Sequence, residues 1–151
     1  MKELISTSTT KFKKGQENRN NNIELAAKAI NNVQLLPNEE FSFNNIVGER
    51  TKAKGYKEAN TIYNKKIIQS VGGGICQVST TLNMAVKKAR LKVTEVHIHS
   101  IPISYAKRVD EAAVSWGELD YKFMNNTKDI ILIETKYDDK RAALTINLYK
   151  V

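Results

Sequence analysis

The run Gly72-Gly73-Gly74-Ile75-Cys76-Gln77-Val78-Ser79-Thr80-Thr81 joins a glycine-rich loop to a thiol at the start of an apolar-periodic segment. Three glycines let the backbone take unusual dihedrals and approach a ligand closely. Cys76 falls in the first turn of the helix that follows, where free amides and the positive end of the dipole lower a thiol's pKa. The same amides can receive an oxyanion when a carbonyl is attacked. The plainer reading is a glycine turn before a core helix that happens to begin with Cys, and on this run alone the two stand level.

His97-Ile98-His99-Ser100 supplies the second piece and contains both histidines of the chain. The sequence predicts that it closes a strand, on which residues two apart share a face, so both imidazoles point the same way. A helix-borne Cys with a strand-borne His is an arrangement used for thiol acyl transfer on several folds. A His base needs a partner to fix its tautomer. Asp110, Glu111, Glu118 and Asp120 are the downstream acids, and spacing does not choose among them. Arg19 and Arg50, in polar turn-like contexts, could grip a substrate carboxylate bidentately. From the residues alone, solvated surface arginine is the plainer reading of both.

The elements that must position these groups are partly legible. Ile23, Leu25, Ala26, Ala27, Ala29 and Ile30 recur at helical spacing, with Asn20, Asn21 or Asn22 as cap and Asn31-Asn32 as end. Pro37-Asn38 reads as a turn before a short strand Phe41-Ser42-Phe43. Thr61 to Ile68 predicts a hairpin turning at Asn64-Lys65. Val78, Leu82, Ala85, Val86 and Ala89 predict a helix from about Cys76 to Ala89. Leu91–His97 and Asp120–Phe123 read as strands. Ile130–Lys136 and Ala143–Tyr149 read as a hairpin around Asp138-Asp139-Lys140. The fold class is α+β: a mainly antiparallel sheet, the Cys-bearing helix after its glycine loop, and a second N-terminal helix, the helices on one side.

The 151 residues suit one domain, and 41% hydrophobic with 26% charged composition can build an ordinary core. No stretch approaches the roughly 20 apolar residues of a membrane span. Lys and Arg exceed Asp and Glu to give a net charge of +8, which favours a polyanionic neighbour. The basic residues are scattered and not interleaved with aromatics, so they read as a solvated surface rather than a nucleic-acid site. Attraction to a bacterial wall is compatible with them. A single cysteine excludes an intramolecular disulfide and a thiolate-rich metal site. Met1-Lys2-Glu3 leads straight into domain-like sequence, so the protein is either cytoplasmic or has its export signal outside this chain.

Nearly the whole chain resembles the VanW domain family. The resemblance runs through Ile5–Thr10, Glu17-Asn18-Arg19, Glu39–Asn44, Gly48–Thr51 and Gly55-Tyr56. It is strongest over Gly72–Leu82, and continues at His99-Ser100, Ser104-Tyr105, Leu119-Asp120 and Phe123–Thr127. Asn38 and Arg90 stand where glycine is usual. After Tyr105 the family's Pro and Gly are missing; by count Glu111 takes the position of its Asp, with Asp110 beside it.

The resemblance implies an extracytoplasmic, wall-bound or membrane-anchored protein of Gram-positive bacteria, touching the membrane only through an anchor outside this chain. It implies L,D-transpeptidase activity on peptidoglycan stem peptides, with no cofactor, metal or nucleic acid. In that scheme Cys76 attacks the diaminopimelate–D-alanine amide of a donor tetrapeptide. Helix amides and Gln77 hold the oxyanion. His99, with Glu111 or Asp120 behind it, protonates the leaving D-alanine and then deprotonates an acceptor amine. A 3-3 cross-link results. Arg19, Arg50, Gly73, Gly74, Gln77, Ser79, His97 and Ser100 are expected around the substrate. The rivals are an L,D-carboxypeptidase or endopeptidase using the same site, a zinc enzyme built on His97 and His99, a peptidoglycan-binding module with an inert Cys76, and a cytoplasmic thiol protein.

Overall fold

A computed structural model describes residues 2–151. The chain opens with β1 (Glu3–Lys11) and α1 (Glu17–Ile30), then short β2 (Gln34–Leu35), β3 (Glu40–Ser42) and α2 (Phe43–Val47). A hairpin of β4 (Glu58–Tyr63) and β5 (Lys66–Val71) precedes α3 (Cys76–Lys88). β6 (Lys92–Glu95), β7 (Lys122–Met124), β8 (Ile131–Asp138) and β9 (Ala143–Lys150) complete it. The sheets are antiparallel: β1-β9-β8-β2, β3-β7-β6, and the isolated pair β4-β5. This is the α+β class that the sequence predicts.

One core lies between the four-stranded sheet and two helices. Leu144, Ile146 and Leu148 of β9 alternate inward and are fully buried, as are Ile131 and Ile133 of β8. They meet Ile23, Ala26, Ala27 and Ile30 of α1 and Val78, Leu82, Ala85 and Val86 of α3. Each fully buried Leu or Ile contributes about 1.5–3 kcal/mol. The helices pack on one side: α1 against β8, α3 against β1 and β9.

β1 is a strand that the sequence reading does not assign. Its inward residues Ser6, Ser8 and Thr10 are polar, so no hydrophobic alternation marks it. Two of them bond to α3 instead: Ser6 Oγ donates to the Ala85 carbonyl (2.8 Å), and Thr10 and Thr81 hydroxyls meet at 2.7 Å.

Several boundaries move. α1 begins at Glu17, so Asn20, Asn21 and Asn22 lie inside the helix rather than capping it, and Gln16 at the N-cap makes no side-chain cap bond. Asn22 is fully buried; it donates to the carbonyls of Lys57 and Gly73 and accepts the Lys57 N–H. β3 stops at Ser42, whose hydroxyl caps α2 by accepting the Asn45 N–H. β6 stops at Glu95, leaving both histidines in a segment beyond it. Asn38 (φ 69°) and Arg90 (φ 59°) adopt the left-handed conformation, which explains why glycine suits both positions.

Candidate active site

The glycine loop packs against the protein's own groups, where the sequence reading anticipates close approach to a ligand. A Cβ on Gly73 would collide with the backbone of Ala59 and Asn60. Gly72 and Gly74 carry positive φ, and a Cβ there would meet Arg50 (2.8 Å) and Arg19 (2.6 Å). The loop thus lets two arginines lie along it while it delivers Cys76 to the first turn of α3.

Cys76 faces the main chain of Val114, whose carbonyl and N–H stand 3.3 and 3.4 Å from its sulfur. Burial pushes the thiol's pKa up, but the hydrogen bond and charge of His99, the Val114 amide and the Arg50 charge outweigh it. The net shift is downward. For His99 the balance is the mirror image. Burial pulls the imidazole down, the bonds and charges of Cys76 and Glu111 push it up, and the push wins. The pair therefore leans toward thiolate and imidazolium.

Glu111 orients that imidazole. Its Oε1 lies 2.8 Å from His99 Nδ1 and accepts the His99 main-chain N–H at 2.9 Å. Nδ1 committed to the carboxylate leaves Nε2 for the thiol. Glu111 is 2% exposed, and its Oε2 has no hydrogen-bond partner among the described residues. Arg108 braces the pair from outside, donating to the His99 carbonyl (2.6 Å) and lying 3.4 Å from Glu111 Oε1. The acid's segment is clamped to α3: Ser79 Oγ donates to the Ala112 carbonyl, Thr80 Oγ1 accepts the Ala112 N–H, and Asn83 donates to the Asp110 carbonyl.

Around these groups lies a cleft of about 1500 Å³, lined by Cys76, His99, Arg19, Arg50, Gly73, Gly74, Gln77 and Ser100 among others. Arg19 donates to Gln77 Oε1 (2.8 Å) and lies over the Tyr105 ring. Arg50 donates to Asn44 Oδ1 (2.7 Å) and the Gly48 carbonyl. Burial lowers the pKa of both guanidiniums from its ordinary value. Fixed and partly stripped of water, they are poised for an anionic or carbonyl oxygen. The N–H groups of Gly74 and Cys76 meet no backbone carbonyl among the described residues, whereas that of Gln77 is committed to the Gly74 carbonyl.

Four expected residues have other tasks. Asp120 is not at His99; it accepts from the Ser42 hydroxyl and the N–H groups of Asn44 and Tyr121, holding the start of α2. The Gln77 side-chain amide has no free donor for an oxyanion, because its Nε2 serves Thr10 Oγ1 and the Lys11 carbonyl. Ser79 is fully buried beneath the cleft. His97 lies outside it, paired with Glu95 at 2.9 Å, so the two histidines do not act on one ligand. Among the described residues no group of three or more His, Cys, Asp or Glu could hold a metal ion. Arg108 is a supporting residue that no local signal in the sequence marks, and Asn22, expected as a helix cap, instead brackets the glycine loop from inside α1.

A family model described as VanW like protein matches residues 18–149. The chain is 45% identical over 134 residues to the uncharacterized protein YoaR of Bacillus subtilis, covering 89% of this chain and 44% of that protein. It is 32% identical over 131 residues to the vancomycin B-type resistance protein VanW of Enterococcus faecalis, covering 83% of this chain and 48% of that one. The chain thus spans about half the length of these relatives. No solved structure matches it.

Proposed function

Because the chain belongs to the VanW-like protein family, we propose that it is the catalytic unit of a cysteine-dependent peptidoglycan L,D-transpeptidase acting outside the cytoplasm. The observation that supports this reading is the Cys76–His99–Glu111 relay, with its lowered thiol and raised imidazole, opening on a cleft between two arginines.

Cys76 thiolate attacks the carbonyl between diaminopimelate and D-alanine in a donor stem. The oxyanion collects toward the N–H groups of Gly74 and Cys76, with the Arg19 and Arg50 charges nearby. Imidazolium His99 gives its proton to the leaving nitrogen, and D-alanine departs with its amine restored. The thioester is then attacked by an acceptor amine, whose proton returns to His99. Glu111 holds the ring through both steps. The arginines also suit the carboxylates of the donor stem.

Purified protein incubated with disaccharide-tetrapeptide, beside Cys76→Ala, tests the scheme by mass spectrometry of the products. Loss of D-alanine with a new dimer, absent in the variant, is the expected result. Loss without a dimer would establish hydrolysis by the same site. No change from folded protein would leave peptide binding without catalysis as the better account.

A further inference from the structure

The β4–β5 hairpin is a two-stranded ribbon with no third strand among the described residues. It reaches across the cleft. At its base the Gly73 backbone packs on Ala59 and Asn60; at its tip Lys65 N–H donates to Ser100 Oγ (2.9 Å), beside His99. Asn64 (φ 52°) and Lys65 (φ 65°) form a tight two-residue turn, which fixes the pairing from Glu58↔Val71 to Tyr63↔Lys66.

That register decides which main-chain groups are used. In an antiparallel pair, alternate residues turn both N–H and C=O to the partner, and those between turn both away. The Gly72 N–H donates to the Lys57 carbonyl, extending the ladder and setting the parity. Ala59, Thr61 and Tyr63 therefore face β5. Asn60 and Ile62 face outward, and no main-chain hydrogen bond outside the ladder reaches them among the described residues. Glu58, of the same outward parity, accepts at its carbonyl from the Asn18 side chain (3.0 Å), so this edge already takes a donor from beyond the hairpin. Every residue from Asn60 to Asn64 lines the cleft, whereas β5 contributes only Ile67, Ser70 and Val71.

We infer that the free edge of β4 is a peptide subsite, on which an extended donor stem lies as a third strand through the main-chain groups of Asn60 and Ile62. This rests on the cleft being a peptide acyl-transfer site. The two residues are spaced by about 7 Å along the strand, the reach of two successive extended residues of a ligand. Main-chain pairing reads the amide rather than the side chain. An edge of this kind thus suits a short stem of mixed stereochemistry. The edge runs from Gly73, three residues before the nucleophile, to the His99 loop, so a strand laid on it passes the reacting thiol.

The test uses Cys76→Ala protein, which cannot turn over, and the free stem tetrapeptide. On saturation the Asn60 and Ile62 amide hydrogens slow in exchange, while Thr61 and Tyr63, already paired, do not change. In the otherwise native protein, Ile62→Pro removes one outward donor and raises KM by about tenfold relative to Ile62→Ala, which keeps the donor. Retained protection at Thr61 and Tyr63 shows that the proline variant keeps its hairpin. If the tetrapeptide binds and reacts while both edge amides stay unprotected, the subsite is wrong and the activity stands. If folded protein neither binds nor processes the tetrapeptide, both readings fall. Protection that grows with protein concentration alone would assign the edge to a second copy and overturn the proposal.

Discussion

Burial works against ionisation of Cys76, yet His99, the Val114 amide and Arg50 together hold its thiol below the ordinary value. Thiolate is the reactive form and is populated above the thiol's pKa. The acid limb of alkylation by iodoacetamide therefore lies below the free-cysteine value of about 8.5. His99→Ala removes the two largest lowering influences and leaves burial in place. The limb then moves to higher pH, and alkylation at neutral pH drops as the thiolate fraction falls. An unmoved limb would mean that the thiol is not paired with His99. Glu111→Gln tests the next link. It keeps the shape but removes the charge that supports the imidazolium, so turnover drops by about 10²-fold or more while the far-ultraviolet circular dichroism of the fold persists. Equal turnover in the variant would reduce Glu111 to a packing residue.

Gly73 couples the hairpin to the nucleophile's loop. Gly73→Ala forces its Cβ into the backbone of Ala59 and Asn60; it should cost about 1–3 kcal/mol in denaturant titrations and slow Cys76 alkylation. Gly117→Ala, where a Cβ meets nothing within 4 Å, should cost only the strain of its left-handed φ, about 1–2 kcal/mol, and leave alkylation alone. The same elements show what the sequence could disclose. α3 and the β8–β9 hairpin are legible because their apolar residues keep a period of 3.6 or 2. β1 is not, because its buried residues Ser6, Ser8 and Thr10 are polar, and Ser6 and Thr10 are held by hydrogen bonds rather than by apolarity. The first turns of α1 hide among asparagines, one of which is a core bracket. Cys76, His99, Arg19 and Arg50 are identifiable by type and motif, and the structure lines one cleft with them. Spacing alone could not choose Glu111 over Asp120. The path from His99 to Ala112 is set by Ser79, Thr80 and Asn83, which clamp it from across the fold.

Across the whole molecule the charge of +8 acts at long range. If the proposed role at the wall is right, attraction to an anionic wall polymer weakens as salt shortens the screening length to about 8 Å at physiological strength; a sedimentation assay with purified walls that shows no salt dependence would remove this role for the charge. The outermost pairing has a different bearing. Glu3 lies opposite Lys150, at one end of the antiparallel ladder that joins β1 to β9. Tension applied through these two strands does not load their hydrogen bonds side by side. It opens them in succession, like a zipper, and single-molecule stretching from the two termini should give low rupture forces; a high-force peak would contradict this geometry. As β1 peels, Thr10 and Lys11 leave Gln77, and Gln77 is what holds Arg19 beside the thiol. Mechanical load would therefore reach the chemistry through the first strand to yield.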